Sequence, residues 1–530
     1  MFVPLTPLRC LHRAIDLFGQ RVGIVSGARQ FTYGEFGERV GRLATALTKA
    51  GIAPGDRVAY LSFNNHQLLE AYYGVVQAKA IVMPLNVRLS APELVAILNH
   101  SGARMLAFEN DFAPLVEKLK PLCTGIEFYM TLDAEKPVFA DWVYEDFLAT
   151  GDPQRADIFD YDENSVAELF YTSGSTGTPK GVMLSHRSLY VHALDVATMY
   201  EQHHDVVDLH TIPLFHANGW GRPQSSTLLG VKQVMVRRFE PAFVLSMVQE
   251  HRATYMSLVP TMANALINFP GVKDYDLSSL QQIMLGGAAS SPELIDRLER
   301  AMGCECVAGY GLTETCPVLS TGRRKDGVDY SNPEERLRRQ AMAGWAVPGV
   351  EVRVVDPEMR DVPKDMQAIG EVIARGDHIM EGYYRESEAT KAVIEHGWLH
   401  TGDMAIWDEH SYIHIVDRKK EIIISGGENI SSIEVEKAIF SHPAVFECAV
   451  VAAPDERWGE VPAAIVVLKS DMTLTADELL EYLSSRLGKF KMPRIVEFST
   501  EPLIKTGTGK IKKILLREKY WAGKDKRVQG

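Results

Sequence analysis

From Asp56 onward the chain alternates two patterns of apolar positions. "DRVAYLS" (56–62) is a short apolar run of strand length. "NHQLLEAYYGVVQAKA" (65–80) repeats its apolar positions at the spacing of one helix face and predicts an amphipathic helix. "AIVMPL" (80–85) is strand-like again. "SAPELVAILNHSG" (90–102) predicts a helix with Ser90 as N-cap and Gly102 just past its end, and "ARMLAFE" (103–109) predicts the next strand. This rhythm runs through most of the first 400 residues and predicts an α/β fold, a largely parallel sheet covered by helices. The stretch 321–344 breaks it: polar and charge-dense, it reads as a surface loop with a solvated helix. A compact unit then begins, with a strand at 421–425, a turn at Gly426-Gly427, the S-x-x-E spacing of a capping box at Ser431 and Glu434, and a strand at 445–451. The expected organisation is a large N-terminal domain of helix-covered, mostly parallel sheets (1–417) and a small α+β C-terminal domain (418–530).

Composition narrows the partners. A length of 530 residues is too long for one core. Hydrophobic residues at 46% and charged residues at 24% are ordinary for a soluble globular protein, and a net charge of -13 disfavours nucleic acid as a global partner. Six cysteines are scattered, and the C-x-C of Cys304 and Cys306 is no zinc pattern, which fits a reducing, cytoplasmic setting. The first residues lack the basic–apolar–small order of a secretory signal. No run reaches the ~18 apolar residues of a membrane span; the nearest candidate, "YYGVVQAKAIVMPL", is interrupted by Gln77 and Lys79. A homodimer is a further expectation.

The candidate chemistry starts at "FYTSGSTGTPKGVML" (170–184). Thr172, Ser173, Ser175, Thr176 and Thr178 alternate with Gly174, Gly177 and Gly181, and Lys180 follows Pro179. Glycines let a ligand approach the backbone, exposed N–H groups form an anion nest, and a lysine adds mobile charge, a chemistry suited to a triphosphate. The Walker loop is excluded, because Pro179 stands where its glycine belongs and Gly181 where its Ser or Thr belongs. Strand-like flanks predict a loop joining two strands, with a helix starting only near Ser185. Downstream lie "PLFHANGWG" (213–221), "LGGAASSPELIDRL" (285–298), "GYGLTET" (309–315), "GWLHTGD" ending at Asp403, "DRKKEIIISGGEN" (417–429) and "PLIKTGTGKIKK" (502–513). Taken singly each has an ordinary reading: an aromatic turn, a tight strand-to-helix turn, a capping acid, a turn aspartate, a solvated basic helix face. The histidines at 203, 204 and 210 read as surface or packing residues.

Together, in this order, these stretches resemble the adenylate-forming superfamily, in its acyl-CoA synthetase type. The resemblance implies an ATP-dependent acid–CoA ligase that forms an acyl-adenylate, releases pyrophosphate and then makes the thioester, with ATP, Mg2+ and coenzyme A as ligands. It assigns Thr172, Ser173, Gly174, Ser175, Thr176, Gly177 and Lys180 to the triphosphate. Gly287, Ala288, Ala289, Tyr310 and Gly311 fall to the adenine, Thr313 to phosphate, Glu314 to Mg2+, and Asp403 and Arg418 to the ribose. His216 becomes the gate between acyl pocket and thiol tunnel, Trp220 lies near the pocket mouth, and Gly426 and Gly427 line the tunnel. Lys420 is implied as the hinge of a mobile C-terminal domain, and Lys510 as the catalytic lysine. The absence of Asp beside His216 points to an acid without an amine, and "HANGWG" to a fatty acid. The alternatives are transfer to a carrier protein and an aryl acid.

Overall fold

The structure, a computed structural model, describes residues 2–172, 179–199, 203–425, 428–455, 457–505 and 511–522. The chain divides into two compact units, one of residues 1–352 and 374–399, the other of 353–373 and 400–530.

The first unit holds two large sheets. Among the described residues, one has nine strands and is parallel through its centre, where Val207–His210, Tyr255–Leu258, Gln282–Leu285 and Glu305–Gly311 lie side by side. The other has eight strands and carries the expected segment: Arg57–Leu61 pairs in parallel with Ile81–Pro84 and with Met105–Phe108. Ile81–Pro84 and Met105–Phe108 are buried from end to end, and Arg57–Leu61 is buried after its first residue, as both-faces-covered strands must be. The helix Ala91–Ser101 begins with a Ser90–Glu93 capping box and ends at Gly102 in the left-handed region (φ 62°), as its sequence predicts.

Other expectations change. The helix His66–Gln77 is not amphipathic in use, since every residue from His66 to Val76 is buried. Two of its polar side chains are paired inside: Glu70 accepts from Arg39 (2.6 Å) and from the Tyr144 hydroxyl (2.6 Å), and Gln67 donates to the Leu132 carbonyl (2.6 Å). The segment after Thr321 does carry its helix, Pro333–Gln340, opened by Asn332 and Pro333.

In the second unit, Ile423–Ser425, Glu428–Ile430, Val445–Asp455, Gly459–Leu468 and Ile495–Ser499 form one sheet, flanked by the helices Ser432–Phe440, Ala476–Ser484 and Lys513–Trp521. The hairpin of Trp398–Trp407 with Ile413–Arg418 is tied into this unit by its far strand: Ser431 donates to the Val416 carbonyl (2.5 Å), and the Ser432 amide donates to the Asp417 carboxylate. Ser431 caps the helix by accepting from the Glu434 amide (3.1 Å), but the reciprocal half of the box is missing because the Glu434 carboxylate is taken by Lys491 (2.7 Å). The helix after Lys512 is not simply solvated either. Lys513 is largely buried and meets Glu436 (2.8 Å), Glu421 (3.3 Å) and the Ser432 hydroxyl (2.7 Å). Among the described residues no helix is long and apolar enough to cross a membrane, and all six cysteines are free.

Candidate active site

The strands Val166–Thr172 and Lys180–Ser185 run antiparallel, and Thr172 pairs with Lys180 at their open end. The helix His186–Met199 follows directly, so the glycine- and hydroxyl-rich stretch is bracketed by two strands as the sequence predicts. Ser173, Gly174, Ser175, Thr176 and Gly177 lie outside the described residues. Gly181 has a packing reason of its own: a Cβ there would come within 3.2 Å of the Tyr171 ring and the Tyr384 Cβ.

Lys180 leads to the acid. Its Nζ lies 4.8 Å from the centroid of the Tyr383 ring, and the Tyr383 hydroxyl donates to Glu314 Oε1 at 2.9 Å. Burial first, and the charge of Glu314 next, hold the Tyr383 phenol above its ordinary range, so it stays a donor. Tyr383 is brought here by the two-residue strand Gly382–Tyr383 pairing with Lys180–Ser185. The sequence reading missed it; its only signal was an aromatic directly after a glycine in "EGYY". Thr313 and Glu314 sit on the short turn Thr313–Thr315, Thr313 buried and Glu314 half-buried. That turn is pinned from behind. Met380 donates its amide to the Glu314 carbonyl (2.9 Å), and His378 Nδ1 stands 2.8 Å from the Thr315 carbonyl oxygen. With Nδ1–H donating there, Nε2 of His378 faces Asp195 Oδ2 at 3.4 Å. Both groups are buried. Desolvation lifts the Asp195 carboxyl to about 7 and lowers His378 to about 4, so below neutral pH the aspartate is held protonated and the imidazole neutral.

The parallel strands Tyr255–Leu258, Gln282–Leu285 and Glu305–Gly311 end at one edge of their sheet, where open α/β sheets place ligands. There Gly287 (φ 75°), Ala288 and Ala289 form an exposed turn, followed by a helix capped by Ser291 with Pro292 in its first turn. Tyr310 and Gly311 are half-buried at the end of the next strand. Gly311 cannot carry a side chain, because a Cβ would lie 1.8 Å from the Pro317 carbonyl oxygen.

Next to this edge the backbone of "HANGWG" is strained. Ala217, Asn218, Gly219, Trp220 and Gly221 all have positive φ, between 44° and 72°. Each of the three non-glycine residues gives up about 1–2 kcal/mol by sitting there, a cost that marks positions held for a purpose. The turn leaves His216 exposed and tucks Trp220 under the glycines: a Cβ on Gly286 would come within 2.9 Å of the indole. Trp220 belongs to an apolar cluster with Ala217, Tyr255, Met284 and Val307.

In the second unit, Asp403 and Arg418 are cross-strand partners, with Arg418 Nε 2.8 Å from Asp403 Oδ1 and Asp403 almost wholly buried. Lys420 is exposed on the turn after that hairpin, and its carbonyl accepts from Arg517 (2.6 Å). Gly426, Gly427 and Lys510 lie outside the described residues.

Residues 11–384 match the family model for AMP-binding enzymes, and residues 434–510 match that for the AMP-binding enzyme C-terminal domain. The chain is 38% identical to a long-chain-fatty-acid–CoA ligase of Thermus thermophilus, over 96% of this chain and 94% of the relative. It is 35% identical to the acetate/butyrate–CoA ligase AAE7 of Arabidopsis thaliana, over 98% and 95%. The ATP-bound crystal structure of MatB from Rhodopseudomonas palustris is similar with a TM-score of 0.83, at 28% identity, over 97% of this chain and 99% of that one. The chain belongs to the AMP-binding, adenylate-forming enzymes. Within that family it is an acyl-CoA synthetase, an ATP-dependent ligase that joins a carboxylic acid to coenzyme A through an acyl-adenylate.

Proposed function

We propose that the acid is a fatty acid and that the residues assigned by the resemblance carry the two half-reactions. The observation that carries this reading is the chain Lys180–Tyr383–Glu314, a cation, an oriented phenol and a carboxylate at the open end of two strands that bracket the glycine-rich stretch. A carboxylate is a poor acylating agent because oxide does not leave. In the first half-reaction a carboxylate oxygen attacks the α-phosphorus of ATP, the bond to the β-phosphate breaks, and pyrophosphate departs with the electron pair. Two anions must meet, so positive charge has to be in place beforehand.

Lys180 and the stretch 172–177 serve the β- and γ-phosphates, and Lys510 draws the carboxylate and the α-phosphate together. Glu314 suits Mg2+, a hard cation that takes carboxylate and phosphate oxygens, and the Tyr383 hydroxyl fixes one of its oxygens. When bound, the ion supplies charge neutralisation on the phosphates. Tyr310, Gly311 and the turn 287–289 flank the adenine, and Asp403 accepts from the ribose hydroxyls beside Arg418. In the second half-reaction the thiol sulfur attacks the acyl carbonyl carbon and AMP leaves. Movement about Lys420 withdraws Lys510 and brings Gly426 and Gly427 to the thiol tunnel beside His216. The apolar cluster around Trp220 and the aliphatic acids in both relatives' names support a fatty acid. Six free cysteines fit a cytoplasmic setting.

The test is incubation with ATP, CoA and a panel of acids, followed by assay for AMP and thioester. Aliphatic acids should give both, and Lys510→Ala should abolish pyrophosphate exchange while sparing thioester formation from preformed acyl-adenylate. Release of ADP, or turnover of aromatic acids alone, overturns the reading.

A further inference from the structure

The helix Arg222–Leu229, directly after the strained turn, is polar yet buried from Arg222 to Leu228. Its first residue is unusual. Arg222 is 3% exposed, and its guanidinium lies 4.1 Å from the centroid of the Tyr255 ring. Nε donates to Asp208 Oδ2 at 2.9 Å and Nη2 sits 2.8 Å from the same oxygen, which also accepts from Ser226 (2.7 Å) and lies 3.5 Å from His210 Nε2. Nη1 and Nη2 are both buried without a hydrogen-bond partner; Nη2 meets Asp208 as an ion pair only, and Nη1 has no counter-charge beside it. A buried donor left in this way is costly, and native proteins rarely keep one without use.

The surroundings say what it faces. Tyr255, which carries the guanidinium on its ring, has its hydroxyl 3.5 Å from Met284 Sδ. Met284 clusters with Trp220, whose indole lies under Gly286 at the exposed turn. Trp220, Met284 and Tyr255 thus belong to one buried cluster beneath the proposed acyl entrance, and the Arg222 guanidinium lies against its Tyr255. Its charge is already balanced by Asp208. A second carboxylate would bring an uncompensated negative charge into an apolar site, whereas a neutral oxygen answers the donor without one.

We propose that Arg222 is a specificity-determining residue whose Nη1 donates to a neutral hydroxyl, keto or ether oxygen on the chain of the acid. The enzyme thereby selects an oxygen-substituted aliphatic acid over the plain alkanoic acid of equal length. This inference rests on the fatty-acid reading above and narrows it. A site built to hydrogen-bond its substrate rejects the analogue lacking the group.

The experiment measures kcat/KM for thioester formation with chain-matched alkanoic, hydroxy-, oxo- and dicarboxylic acids. At least one hydroxy or oxo acid should exceed its alkanoic counterpart roughly tenfold to a hundredfold, the range of a hydrogen bond from a charged donor. The ratio should fall to within about twofold in Asp208→Asn/Arg222→Met, which removes both charges together and leaves neither buried alone. Arg222→Lys, which keeps the ion pair but lacks Nη1, guards against misfolding of the double variant and should lower the ratio as well. Equal use of plain and oxygenated acids by the wild type, preference for the dicarboxylic acids, or a ratio that survives loss of the guanidinium overturns the assignment while leaving the fatty-acid reading intact. If no aliphatic acid of any kind yields AMP and thioester, both fall together.

Discussion

Tyr383 is the residue whose removal tests the active-site geometry most directly. Tyr383→Phe deletes one oxygen and keeps the ring that faces Lys180 and the strand pairing that places it. The lost bond is a 2.9 Å donation to a carboxylate. Bonds to charged groups contribute about 1.5–3 kcal/mol, and the half-buried, partly solvated Glu314 argues for the low end. About 1.5 kcal/mol corresponds to roughly a tenfold loss. The assay is ATP–pyrophosphate exchange with a saturating acid, titrating ATP and Mg2+ separately. The expected result is a roughly tenfold lower kcat/KM for ATP with a higher Mg2+ requirement. Tyr383→Leu, which also removes the ring from Lys180, should lose a further factor of about two to five. If Tyr383→Phe exchanges pyrophosphate with the wild-type kcat/KM and Mg2+ dependence, the phenol does not organise Glu314 and the reasoning fails.

Other expectations follow from the groups behind and beside the site. Asp195 is raised to about 7 in the folded protein, so it holds a proton that the unfolded chain has released above pH ~4, and its contribution falls as pH rises towards 7. His378, lowered to about 4, contributes in the opposite sense between about 4 and 6.5. The two oppose each other, so the Asp195→Asn variant should show a melting temperature that rises more steeply with pH across 4.5–6.5 than the wild type; parallel curves would refute the raised Asp195 carboxyl. Trp220→Ala should shift the chain-length optimum towards longer acids and lower stability by about 3–5 kcal/mol, the usual cost of emptying an aromatic site; an unchanged chain-length profile measured as kcat/KM would remove Trp220 from the pocket wall.

Much was legible without coordinates where local chemistry decides. The period of apolar positions gave the helix Ala91–Ser101 and its flanking strands, because capping and left-handed C-caps are settled within a few residues. The two strands around the glycine-rich stretch were legible because Pro179 and Gly181 rule out a Walker-type entry into a helix. The order of motifs along the chain named the chemistry.

What the sequence could not decide depended on who meets whom across long separations. Periodicity marks polar positions but not their partners, so the amphipathic pattern of 65–80 gives no sign that Arg39 and Tyr144 enclose Glu70. Lys513 looked like one of many surface lysines until Glu436 and Ser432 enclosed it. Tyr383 carries no motif, and its role exists only because a two-residue strand lays it between Lys180 and Glu314. Arg222 and Asp208 are fourteen residues apart and unremarked as a string; burial makes them a pair and leaves Nη1 without a partner. Backbone preferences are local energies and can be read from neighbours, whereas burial, pairing and the pKa shifts they cause arise only when distant segments exclude water together.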